Sequence, residues 1–227
     1  VNPESTMDNL LVKNLVSENK IKEIAKKIFD FHKIAPMNNH ISHFGSLEII
    51  KSNWDENFSQ TEVFVPGIIS RDNLNSIRLK IEPFIEKNKS LFEERIKKDK
   101  IKHCHGDFHS GNVFLDKGKI IIFDGIVFNE RFPCSDVISE IAFMAMDLDF
   151  HNQEGLSKCF IDEYKSLSED KDIDNLLNFY KCYRSYIRGK IACFTYSDDN
   201  LSIEEKEEEK KKDKQYFELA NKYAERL

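Results

Sequence analysis

Glycine is scarce in this 227-residue chain: there are eight, at 45, 67, 106, 111, 118, 125, 155 and 189. None forms a glycine-rich run ahead of a strand lysine, so the chain carries no recognisable nucleotide-gripping loop of its own. Gly106 and Gly111 have the G-x-x-x-x-G spacing of a Walker loop, but Asn112-Val113 follow where Lys and Ser or Thr are required. That excludes a P-loop NTPase. The five cysteines (104, 134, 159, 182 and 193) are odd in number and form no CxxC pair, which points to reduced thiols and a cytoplasmic protein. No apolar run approaches the ~18 residues that a membrane span needs. The opening Val1-Asn2-Pro3-Glu4-Ser5-Thr6 lacks the basic-then-apolar order of a signal peptide. A basic stripe is missing too: 34 Lys and Arg against 40 Asp and Glu leave a formal net charge of -6. Neither a membrane nor nucleic acid is therefore expected as a partner.

What the chain does have is 40% hydrophobic residues, enough to bury a core, arranged largely at helical spacing. Asp8 to Val16 reads as a short helix. Ser17 is an N-cap, followed by Ile21, Ile24, Ala25, Ile28 and Phe31 on one face. Ser46 caps a helix through Trp54 and Phe58, where both aromatics are expected in the core rather than in a substrate pocket. Phe64 is a further candidate to line such a pocket. Beyond the turn at Pro66-Gly67, a helical region from Asp72 to Lys98 is expected to bend or restart near Pro83, which lacks a backbone donor. Val113-Phe114-Leu115 and Ile120-Ile121-Ile122-Phe123 around Asp116-Lys117-Gly118-Lys119 read as a hairpin. Four further helices are expected at Asp136–Met146, Asn152–Leu167, Ile173–Phe194 and Ile203–Arg226. The charged tract from Ile203 to Lys214 is expected to be a solvated helix face. The fold class is therefore mainly α with a small β-hairpin, with a helical subdomain at 1–100, a loop and hairpin region at 101–135, and a second helical subdomain at 136–227.

The chemistry concentrates in His103-Cys104-His105-Gly106-Asp107-Phe108-His109-Ser110-Gly111-Asn112 and in the Asp124 that ends the second strand. Pairing the two strands brings Asn112 and Asp124 together. A carboxamide and a carboxylate oxygen suit a hard cation such as Mg2+, which takes few protein ligands plus substrate phosphates. Asp107, outside that pair, can accept the proton of an attacking hydroxyl. These are the parts of a phosphoryl-transfer site with ATP as co-substrate. His105 and His109 are expected to support the loop, and Asp136 and Glu140 to sit at a helix N-terminus. Arg131 is an exposed loop arginine. Asp147, Asp149, Asp198 and Asp199 are compatible with a cationic acceptor without requiring one.

The runs HGDFHSGNVFL, IIFDG and DVISEIAFMAMDLDF resemble the aminoglycoside phosphotransferase-like branch of the kinase-like fold. TMDNLL, Phe44-Gly45-Ser46 with Asn53-Trp54 and Asn57-Phe58, and FNERFPCSD extend the resemblance over most of the chain. The resemblance implies the larger C-terminal lobe of a protein-kinase-like fold. Asp107 is then the catalytic base, Asn112 and Asp124 hold Mg2+ and thereby ATP, His105 supports the loop, and Asp136 is a structural partner of the catalytic segment. It implies transfer of the γ-phosphate of ATP to a small-molecule hydroxyl. Where a protein kinase has a lysine and a DFG, this chain has His109 and Asp124-Gly125-Ile126, which favours a small-molecule acceptor. The nucleotide-binding N-terminal lobe is expected outside these residues, so the chain alone is expected to be inactive. Two rival readings are a non-catalytic kinase-like scaffold and a metal hydrolase built on the alternating His103, His105, Asp107 and His109.

Overall fold

The computed structural model describes residues 3–116 and 118–227; Val1 and Asn2 of the opening segment and Lys117 of the hairpin turn lie outside the described residues. The protein is mainly helical with two small antiparallel sheets. Its contacts group into two compact units. The first comprises residues 1–45 and 94–177, and the second residues 46–93 and 178–227.

In the first unit, α1 (Met7–Val12) precedes α2 (Glu18–Ile34), which Ser17 caps by accepting from the amide of Lys20. Ile21, Ile24, Ala25 and Ile28 are buried as their spacing predicts. The fifth position differs: Phe31 is 36% exposed, while His32 is 3% exposed. His32 lies four residues after Ile28, closer to the centre of the buried stripe, and its polar ring is tolerated there because both nitrogens are hydrogen-bonded. A short α3 (Asn39–His43) follows. Strand β1 (Ile101–His103) pairs antiparallel with β4 (Cys134–Asp136), Ile101 opposite Asp136 and His103 opposite Cys134. The sequence reading had only one hairpin, because three-residue strands with a single buried β-branched residue carry no periodicity. The expected hairpin is present as β2 (Val113–Asp116) and β3 (Lys119–Ile122), with Val113 opposite Ile122 and Asp116 opposite Lys119. Gly118 takes φ +79 in the turn, a conformation side chains rarely adopt.

Beyond β4, α7 (Val137–Phe150) is buried around its whole circumference from Val137 to Leu148, which is why its sequence is an almost unbroken apolar run. It packs on α8 (Glu154–Ser168), which in turn packs on α2.

In the second unit, Ser46 caps α4 (Leu47–Thr61) by accepting from Ile49, and Trp54 and Phe58 are core residues stacked on each other. The helix α5 (Arg71–Lys87) is continuous through Pro83 rather than restarting there. Pro83 lies on the exposed face, so the carbonyl it leaves without a donor can meet water. The break comes at Asn88, whose side chain donates to the carbonyl of Phe84, before α6 (Lys89–Lys97). The last helices, α9 (Ile173–Tyr196) and α10 (Ile203–Ala224), match expectation to within two residues at each end. A capping box between Ser202 and Glu205 starts α10, which packs on α5.

Candidate functional site

All of the residues singled out above for chemistry in the central window belong to the first unit. The backbone from Cys104 to Asn112 leaves β1 and enters β2 through a single turn of tight helix at Ser110–Asn112. The carboxamide of Asn112 folds back: its Nδ2 donates to the carbonyl of Asp107 and to Asp107 Oδ2, both at 2.9 Å. This fixes the carboxylate and, by using the nitrogen end, turns the amide oxygen away as a free acceptor. On the other strand, the amide of Phe123 donates to the carbonyl of Asn112 at 3.1 Å, extending the hairpin ladder one step beyond Ile122. The next residue, Asp124, is exposed and adopts φ +62, a left-handed conformation that aspartate tolerates better than most residues. Asp107, Asn112 and the backbone entering Asp124 are thus joined by hydrogen bonds.

The two histidines are braces with different partners. His105 Nε2 lies 2.9 Å from the carbonyl of Phe123 and must donate to it, since a carbonyl only accepts. Its Nδ1 is buried without a hydrogen-bond partner. His105 therefore ties the loop before Asp107 to the residue before Asp124. His109 Nδ1 accepts from the amide of Gly111 at 3.2 Å, which in the neutral ring leaves the proton on Nε2, 3.5 Å from Asp107 Oδ2. Its ring centroid lies 5.3 Å from that of Phe143 on α7.

Glu140 in the first turn of α7 does more than sit near a helix dipole. Its carboxylate accepts from the amides of His105 at 3.1 Å and Gly106 at 2.7 Å, and from His32 Nε2 at 2.8 Å. His32 Nδ1 is held in turn by the hydroxyl of Tyr164 at 2.7 Å. Burial would push the Glu140 carboxyl up, but the His32 hydrogen bond and charge together with the two amides hold it below the ordinary carboxylate range. Gly106 is needed at this point: it has φ +86, and a side chain would meet the backbone of Pro133 at 3.1 Å and Ile126 at 3.3 Å. Asp147, offered by the sequence as a contact for a cationic acceptor, is instead buried and accepts from the amide of Ser110 at 2.8 Å. The amides of His105, Gly106 and Ser110 are thus held by two acids of one helix.

Asp136 is both the N-cap of α7, accepting from Ile138 at 2.8 Å, and one half of a bidentate pair with Arg95 at 2.7 and 2.8 Å. Arg95 is fully buried and also binds both oxygens of Asp170, at 2.6 and 2.8 Å. Burial would lower the Arg95 pKa, but Asp136 and Asp170 raise it above its ordinary value. Sequence reasoning placed Asp136 and missed its partner, because Arg95 sits among Glu94, Lys97 and Lys98 and looks like one more surface charge. His32 was missed for the same kind of reason, next to Lys33 at a helix end.

The alternating His103, His105, Asp107 and His109 do not converge as a metal-ligand group. Among the described residues the three that do are His32, Cys104 and Glu140, all buried, whose ligand atoms lie within 4.8 Å of one another. There, each His32 nitrogen and both Glu140 oxygens already have protein partners. All five cysteines are free thiols. No described helix is long and apolar enough to cross a membrane.

No protein-family model matches the chain. Proteins similar to it occur in mycobacteria: the uncharacterized protein Rv2004c and the uncharacterized protein MT2060, from two strains of Mycobacterium tuberculosis, and the uncharacterized protein Mb2027c of Mycobacterium bovis. Each is 28% identical over 189 residues, an alignment that takes in 83% of this chain and 38% of the relative. The chain therefore spans little more than a third of the length of the curated relatives it matches. Their printed names assign them no activity.

Proposed function

We propose that this chain is the larger, kinase-like lobe of an aminoglycoside phosphotransferase-like enzyme that moves the γ-phosphate of ATP to a hydroxyl of a small molecule. The observation that carries this reading is the Asp107–Asn112 clasp, joined through the Asn112–Phe123 backbone bond to Asp124. A structural loop needs no such arrangement. It keeps one carboxylate partly exposed, with its side chain at 35%, and presents a carboxamide oxygen and a second carboxylate beyond it.

The donor set fits Mg2+: Asn112 Oδ1 and the Asp124 carboxylate are hard oxygens, two ligands being enough when phosphates and water complete the shell. A bound Mg2+ neutralises charge on the phosphates of ATP. Asp107 orients the acceptor hydroxyl and takes its proton as the oxygen forms a bond to the γ-phosphorus. The bond from that phosphorus to the β–γ bridging oxygen breaks, and ADP leaves with the electron pair. Asn112 holds Asp107 in place through Nδ2, and His109 Nε2 faces the same carboxylate oxygen. A glycine-rich nucleotide-binding lobe, which these residues do not supply, is the partner the reaction requires.

The test is magnesium-dependent transfer of γ-phosphate from ATP by the longer protein that contains this lobe. Asp107→Ala is expected to lower kcat by at least 10^3-fold while ATP binding survives. Undiminished turnover in that variant would remove Asp107 from the role of base. Tight ATP binding without transfer to any hydroxyl would favour the non-catalytic scaffold.

A further inference from the structure

Behind the 105–106 backbone, three side chains of metal-binding type converge. His32 on α2, Cys104 after β1 and Glu140 on α7 are 3%, 2% and 1% exposed. One ligand atom of each lies within 4.8 Å of the other two. The set is one nitrogen, one sulfur and one oxygen, brought by three elements far apart in the chain. Such a mixed set suits a borderline-soft divalent cation of the zinc class, whereas Mg2+ takes oxygen.

The partners these groups hold do not bar an ion. His32 Nε2 and Glu140 Oε2 are joined by one hydrogen bond of 2.8 Å. Ligand atoms around a tetrahedral zinc stand roughly 3.3–3.8 Å apart, so an opening of about half an ångström exchanges that bond for two coordinate bonds. The amides of His105 and Gly106 keep their hold on the carboxylate. The Tyr164 hydroxyl, 2.7 Å from His32 Nδ1, can either donate to that nitrogen or accept from it. A partner on the far ring nitrogen is what orients a metal-bound imidazole. Cys104 Sγ lies 3.6 Å from the carbonyl of Ser135, a weak thiol hydrogen bond that costs little to give up.

We propose that His32 Nε2, Cys104 Sγ and Glu140 Oε2 bind one zinc-class divalent cation in a closed structural site, which ties the residues before Asp107 to α2 and α7. Binding releases the Cys104 thiol proton to solvent and leaves the His32 ring proton on Nδ1, donated to Tyr164. The thiolate and the carboxylate together balance the two charges of the ion, so no net charge is buried. Burial of all three ligands makes the role structural rather than hydrolytic. The site stands apart from the phosphotransferase reading, and its test needs no activity.

The intact protein, reduced and stripped of metal, is titrated with Co2+, whose bond to a thiolate absorbs in the near-ultraviolet. A saturable band is expected that Zn2+ abolishes and an excess of Mg2+ leaves unchanged. Cys104→Ser and Cys104→Ala, both small changes at a buried position, are expected to lose the band and one equivalent of bound metal, with far-UV circular dichroism unchanged. Tyr164→Phe is expected to keep the band and weaken Zn2+ binding about tenfold. Zn2+ is also expected to slow hydrogen exchange at the His105 and Gly106 amides of the unmutated protein and not of Cys104→Ser. Absence of a cobalt–thiolate band overturns the proposal, as does a band of undiminished intensity in both Cys104 variants, which would place the metal on another cysteine.

Discussion

The residue that organises the candidate site is Glu140. A carboxylate buried among apolar residues is costly unless it is satisfied on every side. Here two loop amides and an imidazole satisfy it, so the position of the 105–106 backbone is set by a charge that has no alternative partner. Replacing it with Gln keeps the shape but leaves an amide N–H2 facing a backbone N–H. Glu140→Gln is expected to lower stability by about 3 kcal/mol and to speed hydrogen exchange at the His105 and Gly106 amides at least tenfold. Unchanged exchange at those amides would show that other contacts hold the loop. Because the folded carboxyl is depressed, its contribution is present above the ordinary carboxylate pKa and is lost as pH falls through the folded value. At this scale the sequence picked out Asp107, Asn112 and Asp124 by residue type and spacing, and the structure ties Asp107 to Asn112 and Asn112 to Phe123 beside Asp124. The sequence did not disclose His32 or Arg95, whose roles depend on partners 108 and 41 residues away.

Among the elements, α10 shows where a pattern reading falls short. The run from Ile203 to Lys214 is mostly exposed, as expected of a charged helix face. Asp213 is the exception: it is fully buried, and neither carboxylate oxygen has a hydrogen-bond partner. Burial, with a further push from Glu209, raises its pKa to about 7 despite the nearby Lys212. The unfolded chain releases this proton near pH 4 and the folded chain near 7, so the folded state binds more protons between those values. Stability is therefore expected to fall as pH rises from 4 to 7 and to level off above 7, by on the order of 3 kcal/mol. Asp213→Leu is expected to remove that slope and to raise the melting temperature at pH 8. An unchanged pH profile in this variant would mean that Asp213 is not the titrating group. Nothing in the sequence marked Asp213 out, because it is one acid in a tract of acids and bases and only the angular position of α10 decides which of them faces inward. The hairpin, by contrast, was legible to within one residue at each strand end, since two β-branched or aromatic runs flank a glycine turn.

For the molecule as a whole, chain closure over long distances is concentrated at Arg95. It joins α6 to Asp136 at the start of α7 and to Asp170 after α8, all inside the first unit. Removing a buried arginine takes the counter-charge from Asp136 and leaves Asp170 to Lys100, 3.3 Å away, so Arg95→Met is expected to cost about 3–5 kcal/mol, read as a drop in the urea midpoint. Adding Asp136→Asn and Asp170→Asn to that variant is expected to recover part of the loss. A triple variant no more stable than Arg95→Met would mean that packing, not charge, accounts for the effect.

Local physics in the sequence determined the helical character, the hairpin and its register, the caps at Ser17, Ser46 and Ser202, and the polar triad of the central window. These follow from periodicity, turn chemistry and side-chain capping, which act over a few residues. Tertiary structure alone decided that His32, Glu140 and Tyr164 form one buried network, that Asp147 supports a loop, and that β1 finds β4 across thirty residues. It also decided that Val127 and Phe128 face water. Those outcomes depend on which helix face meets which neighbour, and that is fixed by the packing of segments far apart in the chain.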